Sequence, residues 1–123
     1  TANSLTIGSG IYQWSTTQVH FATTVTTNLQ VLYSVPVANI SGAEFHIIAT
    51  DATAGIRQTA KISSVIYGNQ VQFTEYAGLY VNGEVGVFQV VYDAVSPASL
   101  QLKVTPESTN TTNYKLLITL FAE

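Results

Sequence analysis

The stretch Leu100-Gln101-Leu102-Lys103-Val104-Thr105-Pro106 alternates apolar with polar residues, and its reading decides the fold. Successive side chains of a β-strand point to opposite faces, so strict alternation marks a strand with one dry and one wet side. Outward from there, Tyr114, Leu116, Ile118 and Leu120 alternate with Lys115 and Thr119. Phe45, Ile47 and Ala49 alternate with Glu44, His46 and Thr50, although Ile48 breaks the pattern. Between Leu29 and Val37 the odd positions are apolar: Leu29, Val31, Tyr33, Val35 and Val37. No longer window carries a helical stripe, so the chain reads as all-β.

Turn residues set the connections. Gly68-Asn69 lies between Lys61–Ile66 and Val71–Tyr76 and is a favoured two-residue hairpin loop. Asn82-Gly83, between Leu79–Val81 and Val85–Tyr92, predicts a second hairpin. Asp51–Gly55, Ser96-Pro97 and the polar run from Thr105 to Thr112 supply further loops. Their spacing predicts about eight or nine strands in a single β-sandwich, with jelly-roll and immunoglobulin-like topologies both open. Residues 1–17 differ, because Gly8-Ser9-Gly10 interrupts a short apolar stretch and Trp14 sits among polar residues. They are expected to form an N-terminal arm that orders against a neighbouring subunit, with the sandwich over 18–123.

Composition narrows the function. The chain has 123 residues, the size of one domain, and 9% of them are charged against 46% hydrophobic. Soluble domains usually carry about 25% charged residues. So small a share suits a surface that copies of the chain or other subunits cover. The net charge of −3, with Arg57, Lys61, Lys103 and Lys115 spread singly, argues against nucleic-acid binding and a polybasic membrane patch. No apolar run reaches the ~20 residues of a membrane-spanning helix. The absence of Cys removes disulfides and thiolate metal ligands. A start at Thr1 with no Met in the sequence reads as a small gene product without its initiator Met, or as a processed fragment.

The residues that carry chemistry do not assemble into a recognisable motif. A zinc site needs three or four ligands, and His20 and His46 with Asp51 or Glu44 lack ligand spacing, so both histidines read as polar-face residues. Glu75 and Glu84 flank the Asn82-Gly83 turn and Asp93 ends the next strand. A glycosidase needs such a pair, but loop-edge charges that resist strand pairing are the simpler reading. Gly8-Ser9-Gly10 is not a nucleophile elbow. Asn39-Ile40-Ser41 and Asn110-Thr111-Thr112 match the glycosylation triplet, which chance supplies readily in a chain rich in Asn, Ser and Thr. Tyr67, Tyr76, Tyr80 and Tyr92 lie near strand ends and suit an interface or a host-glycan stacking platform. Neither catalysis, a metal nor a cofactor is expected. The interface candidates are Leu5, Ile7, Ile11, Tyr12 and Trp14 of the arm, with Leu32, Ile48, Tyr76, Tyr80 and Leu117 as outward residues of the sandwich.

From Ala43 onward an ordered series of short strand motifs emerges. Phe45-His46-Ile47-Ile48-Ala49-Thr50-Asp51 precedes Arg57, then Lys61–Asn69, Phe73-Thr74-Glu75-Tyr76, Val85-Gly86-Val87-Phe88 and Tyr92-Asp93. Leu100–Pro106 and the Asn/Thr-rich loop into Tyr114-Lys115-Leu116-Leu117 complete it. The series resembles β-rich modules, often repeated, in the virion proteins of tailed phages, particularly those of cyanobacterial and other marine hosts. Residues 1–42 have no counterpart in it. The resemblance implies a structural protein of the virion, not an enzyme. A single module with an arm looks most like a capsid decoration (cement) protein, a homo-oligomer, commonly a trimer, packed on the major capsid protein. The alternatives are a tail, neck or fibre component and, from another class, a carbohydrate-binding or receptor-binding tip.

Overall fold

A computed structural model of the chain describes the backbone of residues 2–7 and 10–123, and the side chains from Ser15 onward. The described residues form nine strands: β1 (Ala2–Ile7), β2 (Gly10–Thr24), β3 (Gln30–Pro36), β4 (Ile40–Asp51), β5 (Ile56–Tyr67), β6 (Gln70–Val81), β7 (Gly86–Asp93), β8 (Ser99–Pro106) and β9 (Thr112–Ala122). They make two antiparallel sheets, one of six strands ordered β1-β2-β9-β4-β5-β6 and one of three ordered β3-β8-β7. The sheets pack face to face as a β-sandwich. β2 pairs with β9 and β3 with β8, so early strands nest against late ones, while β4, β5 and β6 run as a meander. Residues 10–13 of β2 pair with β1 ahead of the β2–β9 ladder, which begins at Ser15↔Phe121.

The alternation seen in the sequence becomes the core. Phe45, Ile47, Ile62, Leu100, Leu102, Val104, Tyr114, Leu116 and Ile118 are almost completely buried between the sheets. Each such side chain contributes about 1.5–3 kcal/mol by leaving water. Edge-to-face aromatic contacts tie the layers together: Phe88 of β7 meets Tyr114 of β9, and Tyr33 of β3 meets Phe45 of β4. The buried Tyr114 hydroxyl is hydrogen-bonded to Thr24 Oγ1 at 3.0 Å. Burial pushes its pKa up, against the smaller downward effect of that bond.

Polar side chains seal the ends. Gln58, 1% exposed, accepts from the backbone N–H groups of Val85 and Gly86 and donates to Gly86 O, at 2.7, 3.1 and 3.2 Å. A side-chain amide thus stands in for a neighbouring strand and satisfies backbone groups that β5 cannot reach. Asp51 accepts from Ala54 N–H, Ser108 Oγ and Asn110 Nδ2, which joins the β4–β5 loop to the β8–β9 loop. The Ala54 bond is the main reason its carboxyl titrates below the ordinary range, with Asn110 and Ser108 adding to it against a contrary effect of burial.

The Gly68-Asn69 loop joins β5 to β6 as expected. Gly68 takes a φ of 62° and Asn69 stays at negative φ, the form of a II′ turn. Asn82-Gly83 is a turn, with φ of 67° and 140°, but it does not close a hairpin. β6 belongs to the large sheet and β7 pairs with β8 in the small one, so the chain changes layer here. The expected break between Val71–Tyr76 and Leu79–Val81 is also absent. Both runs are one strand, interrupted by a bulge in which Ala77 and Gly78 oppose Ala60.

Candidate functional site

Three strands do not cover six. The inner face of the large sheet is the one turned to the small sheet, and its outer face meets no other part of the described chain. Strand registers place the outer side chains in transverse rows. One row runs Phe21, Lys115, Ile48, Thr59, Leu79 from β2 to β6, and the next Val19, Leu117, His46, Lys61, Tyr76. The flanking rows are Thr23, Asn113, Thr50, Arg57, Val81 and Thr17, Thr119, Glu44, Ser63, Thr74. The two middle rows therefore carry six apolar side chains among ten, with Phe21 68%, Leu79 70%, Val19 59%, Tyr76 45% and Leu117 44% exposed, and Lys115, Thr59, His46 and Lys61 lie between them. Two shallow hollows interrupt the face. One is lined by Glu44, His46, Lys61, Tyr76 and Leu117, the other by Phe21, Ile48, Thr50, Arg57 and Lys115. Isolated exposed apolar residues need no explanation, but this face gathers several of them on one side of one sheet.

The second feature is the β6–β7 edge. β6 is exposed at every residue except Val71, which is half-buried. Its inner side carries Phe73, Glu75 and, beyond the bulge, Tyr80 opposite Gln58. Glu84 and Glu107 join them, because Glu107 N–H donates to Val85 O at 2.9 Å. Desolvation pushes the Glu84 carboxyl above its ordinary pKa, reinforced by a hydrogen bond to Glu107 and by the charges of Glu107 and Glu75. Tyr80 is raised by desolvation first, then by the charges of Glu84 and Glu75. Three carboxylates thus gather at one edge of the sandwich.

Of the sequence candidates, Ile48, Tyr76 and Leu117 share the outer face, whereas Tyr80 projects to the opposite side of β6. Leu32 is corrected. It is 4% exposed and belongs to the core, because a bulge in the β3–β8 ladder between Val31 and Tyr33 shifts the alternation and leaves Val31 outside instead. The side chains of Leu5, Ile7, Ile11, Tyr12 and Trp14 lie outside the described residues. His20 stacks edge-to-face on Tyr33 on the inner side, while His46 sits on the outer face, so the sheet separates the two histidines. Glu75 and Glu84 do come together, with Glu107 as a third member that the sequence reading did not associate with them. Val19, Phe21 and Leu79 were missed as surface residues. Their signal was present, since β2 and β9 carry apolar residues in both phases of the alternation. Comparison with known families finds no matching model, and comparison with curated proteins finds no match.

Proposed function

We propose that the chain is an assembly subunit that works by covering surface and not by catalysis, and that its place is the virion of a tailed phage. Within the virion the reading is a capsid decoration protein, with the outer face of the large sheet as its principal contact surface and other copies and the major capsid protein as its partners. The observation that carries the assembly reading is that face: a broad sheet surface whose two middle rows hold six apolar side chains among ten, in a chain with 9% charged residues. The placement on a phage head rests on the resemblance of residues 43–123 to tailed-phage modules. A sugar-stacking platform finds less support, because Tyr76 and Tyr80 point to opposite sides of β6 and Tyr67 stands apart at the hairpin.

The test is labelling of purified virions with an antibody against the chain, read by electron microscopy. A regular, high-copy coat on the head is the expected result, accompanied by a higher melting temperature of capsids that carry the protein. Label confined to tail, neck or fibres replaces the decoration role with an appendage role. Absence of label removes the virion from the proposal.

A further inference from the structure

Charge is not distributed evenly between the surfaces of this molecule. Of the four Lys and Arg residues, Arg57, Lys61 and Lys115 lie on the outer face of the large sheet, and Glu44 is the only acidic residue there. The other six acidic residues, Asp51, Glu75, Glu84, Asp93, Glu107 and Glu123, share the rest of the chain with one cation, Lys103. The outer face is therefore net positive on a protein whose total is −3, and everything else is strongly negative. Residues 1–14 contain no charged side chain and leave this asymmetry unchanged.

Two copies that met outer face to outer face would set one net-positive surface against another, with Glu44 of each the only acid to offset Arg57, Lys61 and Lys115. Like charges across an interface oppose association. The β6–β7 edge has the opposite character. It offers exposed apolar surface in Phe73 and Tyr80, 41% and 50% exposed, beside Glu75, Glu84 and Glu107. It also presents the unpaired backbone groups of an edge strand. Apolar surface meets apolar surface and acid meets base when the face of one copy receives the edge of another.

We propose that the outer face of the six-stranded sheet docks on the β6–β7 edge of a second copy, so that copies join head to tail. This rests on the reading of the outer face as an assembly surface and adds the partner surface and the polarity. Such a contact is heterologous. Because a face and an edge point in different directions, it rotates each copy relative to the last and closes a ring or winds a helix.

The experiment is light scattering and sedimentation of the purified chain and three exposed-site variants, with circular dichroism to show that each is folded. Wild type is expected to associate, as a closed ring or a growing filament, and to dissociate as salt rises. Lys61→Glu with Lys115→Glu, and separately Glu84→Lys with Glu107→Lys, should each weaken association at least tenfold. Combining all four reversals should restore it, since the charges then match with inverted sign. If the Glu84/Glu107 pair associates as wild type does, or the fourfold variant fails to recover, the head-to-tail contact is wrong. A wild type that stays monomeric at all concentrations also overturns it. Virion labelling then decides the structural role independently.

Discussion

β5 and β6 are neighbouring strands of twelve residues each, joined by a two-residue loop, and both carry β-branched and aromatic side chains. Their fates differ completely. Along β5 every second residue is buried, from Gln58 through Ala60, Ile62 and Ser64 to Ile66. Along β6 no residue is. The difference lies in what stands opposite: the small sheet reaches over β5 and stops, anchored there by the Gln58 amide on Val85 and Gly86. Burial in a sandwich is a property of the facing layer as much as of the strand. The same apolar residues that stabilise the fold in one strand remain available for a partner in the next.

Truncation tests this contrast most directly. Ile62→Ala should cost about 2–5 kcal/mol in urea unfolding, because it removes a fully buried side chain and leaves a cavity. Phe73→Ala on β6 should cost far less, under about 1 kcal/mol, although it removes more atoms. Equal losses at the two sites would mean that β6 is covered in the isolated chain and that the contrast is false.

The next effect concerns the boundary between the two strands. Gln58→Leu keeps the volume but leaves the Val85 and Gly86 N–H groups without an acceptor, at a cost of about 1–3 kcal/mol. Amide exchange at Val85 and Gly86 should accelerate in this variant more than at core positions of β9. Uniform acceleration would show that Gln58 supports the whole core and not this junction.

A smaller gain is expected within β6. Ala77 has a φ of 53°, a left-handed conformation that costs a residue with a Cβ roughly 1–2 kcal/mol. Ala77→Gly relieves it and, after the entropy of a freer unfolded chain, should stabilise by about 0.5–1 kcal/mol. A destabilised variant would mean that the Ala77 methyl packs on something the isolated fold needs.

The smallest effect is one of pH. The folded-state pKa of Glu84 is raised, so the folded chain holds that proton more tightly than the unfolded one. Its contribution is favourable below the unfolded pKa and is lost as pH rises through the folded value. Glu84→Gln should remove this part of the pH dependence, leaving a chain that loses less stability than wild type between mildly acidic and neutral pH. Parallel denaturation curves across that range would show that the carboxylates at this edge do not interact.

Much of the fold was legible because the period is strict where one face is buried. Leu100–Pro106, Phe45–Asp51 and Tyr114–Leu120 all lie in strands with the expected residues inside. What failed did so at irregularities that alternation does not encode. A bulge turned Leu32 inward, and another fused two expected segments into β6. The turn at Asn82-Gly83 was readable as a turn, but its residues do not say whether the following strand returns to the same sheet. The outer face was half legible: Ile48 and Leu117 broke their patterns visibly, whereas the gathering of three cations on one side depends on registers between strands far apart in sequence. The carboxylate edge was legible as the pair Glu75 and Glu84 and not as a trio, because Glu107 arrives from β8 by folding alone.

One consequence of the strand order concerns synthesis. β9 sits between β2 and β4 and is the only link between the β1–β2 ribbon and the β4–β6 meander within the large sheet. A chain emerging from the ribosome therefore cannot join these two parts of the sheet until Thr112–Ala122 has cleared the exit tunnel. Closure pairs the last strand with β2 and β4, both distant from it in sequence, the kind of long-range pairing that makes folding slow. Nascent chains stalled before Thr112 would lack the strand that fills this gap, and any sheet they formed would leave the β2 and β4 edges open to aggregation.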